Sequence, residues 1–186
     1  MYGVGLKECK NMRIKNTAIF DLDGTLVDTD AANNAAYKVA LRLYGVGNVI
    51  SDNARITTGD VRRMLGSGIE DVVKSKVDAY RAELWRTRLL SVAVALKKCF
   101  EKRMVEKVVL LTDSNERRAM ETLRFHGLDR CFDEIVCNGG NGDKYANYFK
   151  VYDSDPAACV VWENENRQIN AAIAAGVKND NIRKVA

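Results

Sequence analysis

Four short apolar runs rich in β-branched residues punctuate the chain, at 17–20, 108–111, 134–136 and 159–162. Three of them lack the strict alternation of a strand with one wet face, so they suit strands covered on both sides, as in a parallel sheet. Helix-period segments follow three of the runs, and this order predicts a doubly wound α/β fold. Residues 181–185 are placed as a further edge strand.

Two helices are marked by their ends. Over 115–126, Asp113 and Glu116 stand at capping-box spacing, Ala119 and Leu123 share a face, and Gly127 lies where a left-handed residue closes a helix. His126, the only histidine, falls in that last turn, beside the carbonyl end of the helix dipole. Over 167–175 the inner side is almost all Ala and Ile and the run stops at Gly176, which predicts a very close packing contact.

The stretch between the first and second strands is too long for a simple crossover and reads as helical almost throughout. Its helical patterns cover 30–44, 60–65, 69–80 and 83–100, separated by Gly45, Gly47, Gly59, Gly66 and Gly68. The expected organisation is an α/β core of residues 1–29 and 96–186, interrupted by a small all-helical insertion of 30–95. The single proline, Pro156, stands just before the fourth strand.

Composition narrows the setting. With 47% hydrophobic and 29% charged residues the chain is an ordinary folding sequence, far from the disordered class. No apolar run approaches the roughly 18 residues of a membrane span, and the start lacks the apolar stretch of a signal peptide. No membrane association and a cytoplasmic location are expected. Five cysteines, without metal-knuckle or secreted-framework spacing, read as reduced thiols. The net charge is +4, and residues 81–107 hold eight Lys or Arg against three Glu. No aromatic residues interleave with them as in single-strand binders, so the segment reads as a solvated face and nucleic acid is not an expected partner. Nothing in the sequence marks an oligomeric state.

The concentrated chemistry lies after the first strand. Positions i and i+2 of a strand share a side, so Asp21 and Asp23 direct two carboxylates into one crevice at the strand's carboxyl end. Two acids buried together destabilise one another unless a cation or a shared reaction accounts for them. Gly24 permits a tight exit and Thr25 adds a hydroxyl.

The run Asp21-Leu22-Asp23-Gly24-Thr25-Leu26-Val27-Asp28 resembles the first motif of the haloacid dehalogenase-like phosphohydrolases, and further motifs of that family follow in order over roughly 16–178. The resemblance implies a Rossmann-like core with a helical cap inserted after the first motif. It implies Asp21 as nucleophile and Asp23 as general acid/base, with Gly24 and Thr25 beside the substrate. The second motif resembles 108–112, with the Thr112 hydroxyl holding the phosphoryl group and Asp113 and Ser114 next to it; Asp113 reads more readily as the helix cap. The third is the lysine, Lys144, followed by Tyr145 where the family usually has proline; Lys150 is the competing candidate. In the fourth, the family's acidic pair has become Glu163-Asn164, and a farther acid corresponds to Gln168.

The resemblance therefore implies Mg2+ held by Asp21, Asp23, Glu163 and Asn164, with binding weakened by the neutral Asn but not abolished. Residues 58–63 resemble a cap loop that reaches substrate, with Arg62 as the residue for an anionic substrate group. The implied function is a magnesium-dependent phosphatase acting through an aspartyl-phosphate on a small phosphorylated metabolite. The alternatives are a sugar phosphomutase of the same superfamily or a weakened phospholigand-binding protein. A protonated acid is needed to leave with the alkoxide, so the crevice is expected to raise the pKa of Asp23.

Overall fold

The computed structural model describes residues 17–46, 55–66, 68–152 and 154–185. Five strands, β1 (Thr17–Phe20), β4 (Lys107–Thr112), β5 (Glu134–Cys137), β6 (Val160–Glu163) and β7 (Ile182–Lys184), form a parallel sheet in the order β5-β4-β1-β6-β7. All four predicted runs are strands, and the predicted edge strand is β7, hydrogen-bonded to β6.

Alternate residues of these strands supply two separate cores. Ala18, Phe20, Val108 and Leu110 face α4 (Val92–Glu101) and α5 (Glu116–Phe125), meeting Leu96, Ala119 and Leu123. Ile19, Val109, Leu111 and Val161 face α6 (Lys144–Val151) and α7 (Asn166–Ala174), meeting Tyr145, Tyr148 and Ala172. Helices cover both faces, which is why the central strands β1 and β4 are buried through nearly their whole length. Phe20 and Trp162 are register partners on β1 and β6, and their rings stack with centroids 4.3 Å apart.

Between β1 and β4 lies a helical layer of α1 (Asp30–Leu43), α2 (Thr58–Leu65) and α3 (Ile69–Tyr80), closed by a 3-10 turn at Arg81–Arg86. Tyr37, Leu41, Val61 and Val72 form its own small core. Asn33 donates to the carbonyl of Ile56 and Asn34 accepts from its amide, which ties the segment entering α2 to α1. Short strands β2 (Val27–Asp28) and β3 (Arg88–Leu89) pair antiparallel where the chain leaves and rejoins the sheet region.

The single helix expected over 83–100 is corrected here: that segment is a 3-10 turn, then β3, then α4. The Thr87 hydroxyl donates to the Leu84 carbonyl and ends the turn, and the β2 pairing then holds the next residues extended. Two predicted ends are observed. Gly127 has φ +64 and follows α5, with the Leu128 amide donating to the Leu123 carbonyl. Gly176 has φ +104 after α7, and a β-carbon there would come within 3.2 Å of Pro156, the close contact expected of that helix end. The cap of α5 is Asn115, whose side chain accepts from the Arg118 amide, and not Asp113. His126 closes α5 as its C-cap and directs its ring to the Thr87 hydroxyl at 2.7 Å, and burial lowers its pKa.

Candidate active site

The carboxyl ends of β1, β4 and β6 open into a cavity of about 670 Å³, bounded on the far side by α1, the start of α2 and α3. Ligand sites in open parallel sheets lie at this edge, because strand ends and helix N-termini converge there.

After Phe20 the chain turns tightly. The carbonyl of Leu22 accepts from the amides of Thr25, Leu26 and Val27, and Gly24 takes φ +75. A β-carbon at Gly24 would overlap the side-chain amide of Asn164, so glycine is required both by conformation and by this approach. The Thr25 hydroxyl donates to Asn164 Oδ1 at 3.3 Å. Gly24 and Thr25 thus position Asn164, and neither lines the cavity.

Lys144 binds the two strand ends together. It is the first residue of α6, where a cation opposes the helix dipole, and that unfavourable placement is offset by two carboxylates. Its Nζ donates to Asp21 Oδ1 at 2.7 Å and to Glu163 Oε2 at 2.8 Å, and the side chain is 2% exposed. Burial opposes the charge on Lys144, yet Asp21 and Glu163 outweigh it and raise its pKa. Tyr145, in place of the family's proline, donates its hydroxyl to Glu163 Oε2 at 3.0 Å. The other oxygen of Glu163 accepts from the amides of Asn164 and Glu165. Lys150, by contrast, is exposed on α6.

The two acids of the first motif stand in opposite electrostatic states. Burial raises Asp21 to about 7 against the pull of Lys144, with Glu163 and Asp23 adding to the rise. Burial also works to raise Asp23, but Arg118 on α5 outweighs it and holds the carboxyl well below its usual range. Arg118 donates to Asp23 Oδ1 at 2.9 Å and also to Oδ2, while Ser114 and Thr29 give their hydroxyls to the same carboxylate. The expectation of a raised pKa at Asp23 is therefore reversed, because a bidentate guanidinium and two hydroxyls all favour its charged form.

The remaining candidates divide. Thr112 is buried at the end of β4, lines the cavity, and accepts from the Ser114 amide at 3.1 Å. Asp113 also lines the cavity, its oxygens taken by Asn138 and by Gln168, each at 2.7 Å. Arg62 is exposed on α2 and outside the cavity, because the helix turns that face outward. Arg55, Lys76 and Arg118 supply positive charge to the cavity walls instead. Two of these were legible in principle. Lys76 follows Ile69 and Val72 and precedes Tyr80 on the buried stripe of α3, and Arg118 lies with Ala119, Thr122 and Leu123 on that of α5.

The residues expected to hold a divalent cation suit one only in part: Asn164 lies outside the cavity lining with its Oδ1 accepting from Thr25, and both oxygens of the Asp23 carboxylate are held by Arg118. Asp21 offers a carboxylate oxygen and Asn164 a neutral carbonyl oxygen, both hard donors. Glu163, expected as a further ligand, is instead engaged at both oxygens by Lys144, Tyr145 and two backbone amides. Among the described residues no group of three His, Cys, Asp or Glu converges as a ligand cluster.

A profile described as haloacid dehalogenase-like hydrolase matches residues 18–180. No curated relative matches the sequence. Solved structures of the same fold include CbbY from Rhodobacter sphaeroides in complex with phosphate, at 18% identity and a TM-score of 0.67 over 87% of this chain and 83% of that one. A CbbY mutant bound to xylulose-(1,5)bisphosphate aligns at 19% identity and a TM-score of 0.72, with the same coverage of both chains. A hydrolase of the haloacid dehalogenase-like family from Streptococcus pneumoniae aligns at 17% identity and a TM-score of 0.71, over 90% of this chain and 84% of that one.

Proposed function

The chain belongs to the haloacid dehalogenase-like hydrolase family, and on that premise we propose that it hydrolyses phosphate monoesters of small metabolites through an aspartyl-phosphate formed on Asp21. The observation that carries this reading is the Lys144 ammonium bridging Asp21 and Glu163 beside Thr112 at the mouth of the sheet. Attack of a carboxylate on a phosphate brings like charges together, so positioning and neutralisation dominate the chemistry.

Lys144 holds Asp21 by Oδ1 and leaves Oδ2 as its remaining oxygen toward phosphorus. Thr112 and the first amides of the α5 segment receive the phosphoryl oxygens. Mg2+, when bound through Asp21, Asn164 and the backbone at Asp23, supplies charge that offsets the phosphate. In the first half, the Asp21 oxygen bonds to phosphorus, the ester P–O bond breaks, and the departing oxygen takes up a proton from solvent. In the second, water attacks the aspartyl-phosphate, its proton passes to Asp23, and inorganic phosphate leaves as Asp21 is regenerated. Arg118 favours the charged form of Asp23, which leaves it able to take that proton but makes it a weak base while the clamp holds. Protonating a poor leaving group from Asp23 requires its hold by Arg118 to loosen.

Turnover of para-nitrophenyl phosphate, with and without Mg2+, tests the reading. Wild type is expected to be active with Mg2+ and Asp21→Asn to lose about a thousandfold or more. Undiminished activity in Asp21→Asn would refute the mechanism. The clamp on Asp23 and the neutral Asn164 favour a second reading, a phospholigand-binding protein with little turnover; inactivity of the wild type on a broad ester panel, with phosphate binding retained, would establish it.

A further inference from the structure

The carboxylates at the strand ends are already matched by cations of the chain itself. Asp21 and Glu163 share the Lys144 ammonium, and the Arg118 guanidinium holds Asp23 at both oxygens. The cavity lining as a whole carries five Asp or Glu and five Lys or Arg. A phosphate dianion therefore enters a balanced cavity, whereas a cluster of unanswered acids would repel it until a divalent cation came between.

Little oxygen is left over for such a cation. Asp23 Oδ1 also accepts from Thr29 and Oδ2 from Ser114, and both oxygens of Glu163 are engaged. Asp113 accepts from Asn138 at one oxygen and from Gln168 at the other, and Asn164 Oδ1 accepts from Thr25. Among these groups only Asp21 Oδ2, the oxygen assigned to attack, accepts no hydrogen bond from the described residues.

We propose that the phosphoryl group is held here by Lys144 and Arg118 together with the Thr112 hydroxyl, and that it binds without a divalent cation. All three side chains line the one cavity. Lys144 serves as a point charge on Asp21, while Arg118 offers a planar fork of five N–H donors, not all of which Asp23 and Ser114 take up. The guanidinium is steadied from one side by the Tyr80 ring, whose centroid lies 5.0 Å from its carbon. Mg2+ then bears on the rate of transfer and not on whether the ligand is held. This inference rests on the assignment of the Asp21 end to the phosphoryl group.

The test is calorimetric titration of the full chain with inorganic phosphate, once in excess EDTA and once in Mg2+. In wild type the two affinities are expected to agree within about threefold. Arg118→Met/Asp23→Asn, which removes the cation and its acid together, should weaken phosphate by about tenfold or more in EDTA, and Arg118→Lys by about threefold or less. The wild-type comparison decides even where the double variant does not fold. Phosphate binding that appears only with Mg2+, binding in neither buffer, or an affinity in EDTA untouched by the double variant would overturn the inference. A protein that binds phosphate in EDTA yet turns over no aryl phosphate upholds it and refutes only hydrolysis. Turnover by a protein that binds phosphate only in Mg2+ does the reverse.

Discussion

Arg118 grips the carboxylate of Asp23 by both oxygens, from the first turn of α5 to the turn that follows β1. Removing one partner of such a buried pair leaves the other charge uncompensated, which typically costs about 3 kcal/mol or more. Arg118→Met is expected to lose stability on that order in urea unfolding. Asp23→Asn in the Arg118→Met background should recover part of it, giving a coupling of at least about 1 kcal/mol in a double-mutant cycle. Additive losses would show that the pair is not coupled.

Lys76 gives a pH dependence of opposite sense to the usual stabilising ion pair. Its pKa falls from 10.5 to about 7 on folding. Between those values the unfolded chain binds more protons than the folded one, so stability rises with pH across this window. Below about pH 7 both states are protonated and the full cost of the buried charge is present. Lys76→Met is therefore expected to be the more stable protein at pH 6.5, by something on the order of 2 kcal/mol, with the gap closing toward pH 10. Thermal unfolding of both proteins at matched ionic strength checks it; a gap that widens with pH would be wrong in sign.

Asn164→Asp restores the negative charge that the fourth motif lacks. The side chain keeps its shape in the space beside Gly24. Mg2+ affinity is expected to tighten by about tenfold, read from the Mg2+ dependence of turnover and from tryptophan emission, since Trp162 stands next to Glu163. Without the cation the same variant should be less stable than wild type, because a further carboxylate then joins Asp21 and Glu163 at the strand ends.

Gly24→Ala is expected to cost about 1–3 kcal/mol. The added methyl must displace Asn164, and the backbone must hold φ +75 with a β-carbon. Mg2+ response should fall together with stability. Loss of stability alone would separate Asn164 from the metal.

The sequence carried the sheet well because strand identity is local: β1 at Thr17–Phe20 and α3 at Ile69–Tyr80 match their predicted ranges to the residue. The failure over 83–100 has a non-local cause. Arg88 is held extended by Asp28, sixty positions earlier in the chain, and no local period records such a partner. The same holds at α5, where in one dimension the spacing to Glu116 marks Asp113 as the cap. In three, Asn138 and Gln168 occupy Asp113, which leaves Asn115 to cap the helix. At the site, the acids, the threonine and the lysine were visible as a motif, but their charge states were not. Those depend on Arg118, which looked like one more basic residue on a helix.

The stacked pair of Phe20 and Trp162 lies one residue before Asp21 on β1 and one before Glu163 on β6. Those two carboxylates would repel each other if left to set their own separation. Their spacing is instead set by the parallel ladder of β1 and β6, continued by the Asp21 amide donating to the Trp162 carbonyl, and the stacked rings pack the apolar side of that ladder before any charge is considered. Lys144 fits a gap that the backbone ladder has already measured, so the distance between the two charges is inherited from groups that carry none.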